Sequence, residues 1–205
     1  MTSHTLVQTI ATRRDHTWGI QVASVLFITA LTAAAAQISV PMPFTAVPFT
    51  FQPMIVLLGG LALGSRLGAT SQVLYLAAGI AGLPIFAAST TLPPGALRLL
   101  GPTGGYLMAY PFAAFLVGYL AERGMDRRYV TSVIAMVAGL AVVYGCGVVW
   151  LGMFARTAAG SAATGVSAAF MAGVAPFALA DLTKLLIAAG VVPGLWKIVG
   201  RVSAF

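Results

Sequence analysis

Apolar residues run along this chain in long blocks, and the gaps between them, with the two ends of the chain, hold most of the prolines and charges. The blocks at 20–39, 104–122 and 129–155 are long enough to cross about 30 Å of hydrocarbon as helices. The block at 166–199 is longer, with Pro176 inside it as an expected kink. Two shorter blocks, 53–64 and 66–82, are separated only by "GSR". They read as a tight helical hairpin, one member of which need not cross fully. Pro53 opens the first of them in the favoured first-turn position. The pattern predicts six helical segments in one domain over 20–205, preceded by a tail over 1–19.

Two gaps are long, and neither looks water-soluble. "VPMPFTAVPFTFQP", 40–53, carries four prolines among alternating aromatics, so it is no regular helix. "LPIFAASTTLPPGALRLLGPT", 83–103, is a second Pro/Gly loop whose apolar content argues against disorder. Both read as loops tucked into one membrane face.

Composition sharpens this picture. Of 205 residues 60% are hydrophobic and 7% charged, too few charges to cover a water-facing surface. The expected class is an all-α integral membrane protein. The net charge of +7 does not indicate nucleic acid, because the basic residues stand singly or in twos at segment ends. They set orientation instead. With the N-terminus in the cytoplasm, Arg13, Arg14, Arg66, Arg123, Arg127, Arg128, Lys197 and Arg201 face inside, and Arg98 and Arg156 face outside. Both termini are then cytoplasmic, and Trp18 and Trp196 mark that interface. Arg13 and Arg14 before an apolar stretch and "AAAAQ" also fit a signal peptide, but the later apolar segments make a first membrane helix the simpler reading. Cys146 is the only cysteine, so no internal disulfide forms.

One stretch breaks the apolar rule. "FALADLTKLLIAAG", 177–190, holds Asp181 and Lys184 three positions apart, on one helix face. Asp181 lies sixteen residues before Lys197, about 24 Å along a helix, which puts the pair in the outer half of the membrane with both loops. Each charge alone at that depth costs about 2.5–3.5 kcal/mol, and Leu or Ala would remove the cost. Two explanations stand: an ion pair that locks helix packing, or a solute site facing the bundle interior. The second is favoured. A carboxylate with an ammonium suits a ligand bearing both donors and acceptors.

Further residues fall near that face. Thr50 and Gln52 close the first loop, as caps of the next helix or as ligand contacts. Tyr75 and Tyr144 offer ring faces with a polar tip, packing being the alternative. Phe44, Phe49, Phe51 and Phe86 suit the wall of an apolar pocket or interfacial anchoring. Arg98, the only charge in the second loop, suits an anionic end of a solute or is a plain loop charge. "GPTGGY", 101–106, reads as a helix start packed close to another helix. Ala30 and Ala34 in "ITALTAAAAQ", and Gly60, Gly64 and Gly68, have small-xxx-small spacing. Internal packing is the default for both sets, and docking to another membrane protein competes for the first. No P-loop, H-E-x-x-H or G-x-S-x-G motif occurs, and His4 and His16 lie in the tail. The chain therefore reads as a non-enzyme with no metal site, no cofactor and no ATPase of its own.

"ISVPMPFTAVPFTFQP", "GLPIFA", "GPTGGYLMAYPFAAFLVGYLAE" and "ADLTKLLIAAG" together resemble the BioY family, in consistent order over about 30–190. BioY proteins are the biotin-specific substrate-binding (S) components of energy-coupling factor transporters. The resemblance implies a six-helix S-component bundle in the plasma membrane with a biotin site near the outer face. Asp181 and Lys184 match the D-x-x-K motif that contacts the ligand, and Thr50 and Gln52 the first-loop motif that helps close the site. Ala30 and Ala34 match the A-x-x-x-A surface presented to the transmembrane coupling protein, which works with ATPase subunits. "AASTTLPPGA" after Phe86 departs from a more glycine-rich family pattern, so Arg98 stays a candidate on its own chemistry and is not carried over from the resemblance. The biotin ureido group suits Asp181 as acceptor, while Lys184 suits either the ureido carbonyl or the carboxylate tail. The expected function is biotin capture for uptake. A component for another vitamin, a proton-coupled carrier and a membrane assembly subunit are the alternatives.

Overall fold

The computed structural model describes residues 17–43, 45, 47–88, 94–159 and 165–202. Phe44, the histidines, Arg13 and Arg14 lie outside the described residues, as do the side chains of Arg156 and Arg201. Helix α1 spans Thr17–Gln37, α2 Gln52–Leu63, α3 Ser65–Ile80 and α4 Leu97–Leu100. Helix α5 spans Gly104–Leu120 and runs into a π turn, Ala121–Met125. Then follow α6 (Tyr129–Ala159), α7 (Val166–Gly173), α8 (Ala175–Ala188) and α9 (Val191–Val202). The only strands among the described residues are β1 (Ser39–Val40) and β2 (Phe49–Thr50). They pair antiparallel, with Ser39 opposite Thr50, and fold the first loop back on itself.

Length and apolarity qualify four stretches as membrane spans: Trp18–Gln37, Gly104–Met125, Tyr129–Met153 and Ala175–Ile198. The hairpin helices α2 and α3 have 12 and 16 residues, about 18 and 24 Å at 1.5 Å per residue, short of the hydrocarbon thickness. Pro53 sits in the first turn of α2 as its fixed φ favours. Gly64 makes the turn between the two with φ +90, a conformation that a side chain would strain.

Helix α5 occupies the centre and packs against α2, α3 and α6. Small residues allow the approach. A Cβ on Gly60 would stand 2.5 Å from the Ala114 carbonyl oxygen, and one on Gly118 would overlap the Gly64–Ser65 peptide. Gly60 and Gly68 face each other across the hairpin, so this spacing packs inside the protein, as expected. "GPTGGY" does so too: a Cβ on Gly105 would overlap Trp150. Glu122, from the π turn, caps α3 by accepting hydrogen bonds from the Ser65 amide at 2.8 Å and its hydroxyl at 2.9 Å.

Two expectations need correction. Residues 166–199 are not one helix kinked at Pro176. The chain breaks at Val174 (φ −126, ψ −56), and Pro176 sits in the first turn of α8. A proline fits a first turn, whose N–H is unpaired anyway, so it starts a helix here rather than bending one. Ala30 and Ala34 do not pack internally: both are exposed. The inward face of α1 is Val25, Ile28, Thr32 and Ala36, at three- and four-residue spacing, and the two alanines lie off it.

At the turn after α5 the fully buried Asp126 accepts a hydrogen bond from Trp196 Nε1 of α9 at 2.7 Å, and the Arg127 guanidinium lies 3.7 Å from the Trp196 ring centroid. Burial raises the Asp126 carboxyl above its ordinary 3.8, against the opposing pull of Trp196 and Arg127. The folded state therefore holds this proton more tightly than the unfolded state. Its stabilising contribution is complete below pH 3.8 and is lost as pH rises through the folded value. Asn keeps an acceptor for Trp196 but cannot titrate. Asp126→Asn should flatten the fall in melting temperature above pH 3.8, measured by thermal unfolding across pH. In the same assay Gly118→Ala should lose about 1–3 kcal/mol through overpacking, whereas Gly145→Ala, where a Cβ meets open space, should not.

Candidate functional site

A cavity of about 390 Å³ opens between the two long loops and helices α5, α6 and α8. Its polar lining includes Asp181, Tyr144, Thr50, Gln52, Thr103 and Arg98. Its apolar lining is largely aromatic and aliphatic: Phe49, Phe86, Tyr106, Tyr110, Phe177 and Val143. A largely apolar chamber with a few convergent polar groups is the usual form of a small-molecule site.

Asp181 sits on the second turn of α8, 8% exposed, and both its oxygens are engaged. Tyr144 donates to Oδ2 at 2.6 Å, and Lys184 Nζ donates to Oδ1 at 2.7 Å. Lys184 also donates to the Thr50 carbonyl at 2.7 Å and lies 3.4 Å from the Phe49 ring centroid. The ammonium is thus held by a carboxylate, a main-chain carbonyl and an aromatic face, and it ties β2 to α8. Phe51 stands further off, 4.9 Å from Lys184 Nζ.

Gln52 is 2% exposed at the start of α2, and its backbone N–H donates to Thr50 Oγ1 at 3.4 Å. Its side-chain Nε2 donates to Tyr75 at 2.7 Å, and the Tyr75 hydroxyl donates to the Ile85 carbonyl at 3.1 Å. Phe86 meets the edge of Tyr75 at 5.4 Å between ring centroids. Arg98, on α4, donates to the Ala87 carbonyl at 2.8 Å. Partial burial lowers its pKa, but a guanidinium stays charged at neutral pH.

The structure gathers the eight sequence-predicted site residues around one chamber, in two ranks. Asp181, Tyr144, Thr50, Gln52, Phe86 and Arg98 line it. Lys184 and Tyr75 stand behind the wall and hold lining groups in place. Sequence reasoning missed Tyr106, Tyr110 and Phe177. A signal for Tyr106 was present: a Cβ on Gly147 or Gly173 would overlap its ring or hydroxyl, so two glycines in apolar helices mark where it lodges. Its hydroxyl donates to the Gly173 carbonyl at 3.1 Å, beside the break that starts α8. Among the described residues no cluster of His, Cys, Asp and Glu is arranged to hold a metal.

A model described as the BioY family matches residues 7–201. The chain belongs to the BioY family. The probable biotin transporter BioY of Pyrococcus horikoshii is 40% identical over 164 residues, 80% of this chain and 88% of the relative. The biotin transporter BioY of Thermotoga maritima is 36% identical over 161 residues, 78% of this chain and 86% of the relative. A crystal structure described as the S-component for biotin from an ECF-type ABC transporter superposes with a TM-score of 0.75 at 24% identity, covering 90% of this chain and 94% of its own. At that identity the likeness shows the fold alone, an all-helical arrangement like that of the S-component; the transporter relatives and the four apolar spans mark a multi-pass membrane protein.

The charged cluster sets a stability test. Lys184→Met leaves Asp181 buried without its cation and should cost about 3–5 kcal/mol. Asp181→Leu combined with Lys184→Met removes both charges and should recover most of that loss, read by thermal unfolding of the ligand-free protein.

Proposed function

We propose that this chain is the substrate-binding subunit of a biotin uptake system, capturing biotin from outside the cell. The observation that carries the reading is a buried carboxylate facing a chamber of about 390 Å³ that also holds an arginine. Biotin has a ureido head with two N–H donors and one carbonyl, an apolar ring system and a carboxylate tail. Asp181 accepts the ureido N–H, the Gln52 side chain and the Tyr144 hydroxyl complete the polar end, and the aromatic wall holds the rings. Arg98 takes the carboxylate tail. Lys184 holds the Asp181 carboxylate and the Thr50 carbonyl in place from behind the wall, so Asp181 is the primary contact of the pair.

In this reading the α2–α3 hairpin joins the four longer segments to make six crossings, and both termini are cytoplasmic in the plasma membrane. The bias of lysine and arginine supports that orientation. The exposed Ala30 and Ala34 offer a flat, close-approach surface to the transmembrane coupling protein of an energy-coupling factor, whose ATPase subunits supply the energy. The chain acts as a transporter component without a cofactor or nucleic-acid partner, and lipid covers its remaining outer face.

Biotin at one hundred times its dissociation constant should stabilise the purified protein by about 2.7 kcal/mol in thermal unfolding. Asp181→Asn should abolish most of that shift. Arg98→Ala should weaken biotin but leave its methyl ester, which lacks the anionic tail, bound as in the parent. No shift with biotin alongside a clear shift with another vitamin would reassign the substrate, and no response to any ligand would leave a packing role.

A further inference from the structure

Two loops far apart in sequence wall the chamber, and one buried residue holds both. Tyr75 is completely enclosed in α3 and does not itself line the chamber. Its hydroxyl accepts from Gln52 at the end of the first loop and donates to Ile85 in the second. Its ring edge carries Phe86, for which Gly79, one turn further along α3, leaves the space. The ties continue outward at both ends: Thr50 to Lys184 of α8, and Ala87 to Arg98 of α4. A run of hydrogen bonds thus rims the chamber from α8 through both loops to α4, and Tyr75 is its middle link.

A tyrosine that only fills space needs one partner for its hydroxyl. This one uses its donor in one loop and its acceptor in the other, so neither loop can leave without breaking a buried bond. We propose that Tyr75 is a positioning residue that couples residues 49–52 of the first loop to residues 83–88 of the second, so that these two segments move over the chamber as one unit. The consequence for ligand release rests on the biotin reading above, while the coupling itself does not. Phe at this position keeps the ring and its contact with Phe86 but removes both ties.

The test uses the full chain in lipid nanodiscs. Hydrogen exchange of the amides over 83–88 is followed in the parent, Gln52→Ala, Tyr75→Phe and the double variant, without ligand. Gln52→Ala should speed exchange in that distant segment several-fold in the parent and add nothing once Tyr75 is Phe. Should Tyr75→Phe fail to fold, Gly79→Ala, which displaces Phe86 without touching a polar group, should by reciprocity speed exchange over 49–52. Biotin dissociation should quicken about thirtyfold in Tyr75→Phe, for two lost hydrogen bonds, with association changed less than about twofold. Unchanged exchange at 83–88 in Gln52→Ala, or strictly additive effects, would overturn the coupling. Absence of biotin binding to the parent would overturn the functional reading instead, and the exchange data would still decide for or against Tyr75.

Discussion

A carboxylate among apolar helices has to be held by the protein, because lipid offers it nothing. Asp181 meets this demand with a cation and a phenol, and Lys184 in turn with a carbonyl and a ring. Those partners come from distant parts of the chain: α6 supplies Tyr144, and β2 supplies the Thr50 carbonyl and Phe49. The first loop therefore cannot drift into water. It must fold down onto α8, and in doing so it becomes a wall of the chamber. One solvation problem fixes the place of the loop, the polarity of the cavity and the register of α8.

That logic was legible in the sequence because the charges are so costly where they stand. Asp181 and Lys184 announced a site, four prolines announced a loop, and the glycine between two short apolar runs announced a hairpin. The structure keeps the loop and the hairpin, and it sets Asp181 in the wall of a chamber with Lys184 behind it. Other features left no such mark. Helix α1 is apolar on every side, so its inward face is chosen by the shape of the hairpin it meets, and Ala30 and Ala34 looked like packing residues while lying outside the packed face. Tyr106 and Tyr110 sit in an apolar run where an aromatic reads as core. Lys184 stands behind the chamber wall, bonded to Asp181 and the Thr50 carbonyl, because sequence spacing says nothing about which member of an ion pair faces the void.

The break before α8 shows how a local cue can be read one step wrong. A proline in a long apolar block suggests a bend at itself. Here the helix has already ended at Val174, and the break lets Tyr106 reach the Gly173 carbonyl. The freed backbone polar group is satisfied by a side chain that also lines the chamber, so the interruption belongs to the site and not only to the helix.

Helix α3 links the two halves of the molecule, and its ends are held by different physics. At its start, Gly64 and Ser65 are pressed against Gly118 with no room for a Cβ, and Glu122 caps the first turn. Contact there is backbone against backbone, which is short, stiff and hard to open. Towards its other end, Tyr75 and Gly79 hold the loops by two hydrogen bonds and a ring edge. A few such ties are each worth about 1 kcal/mol. The loops around the chamber are therefore held by fewer and weaker ties than the backbone-packed hairpin turn.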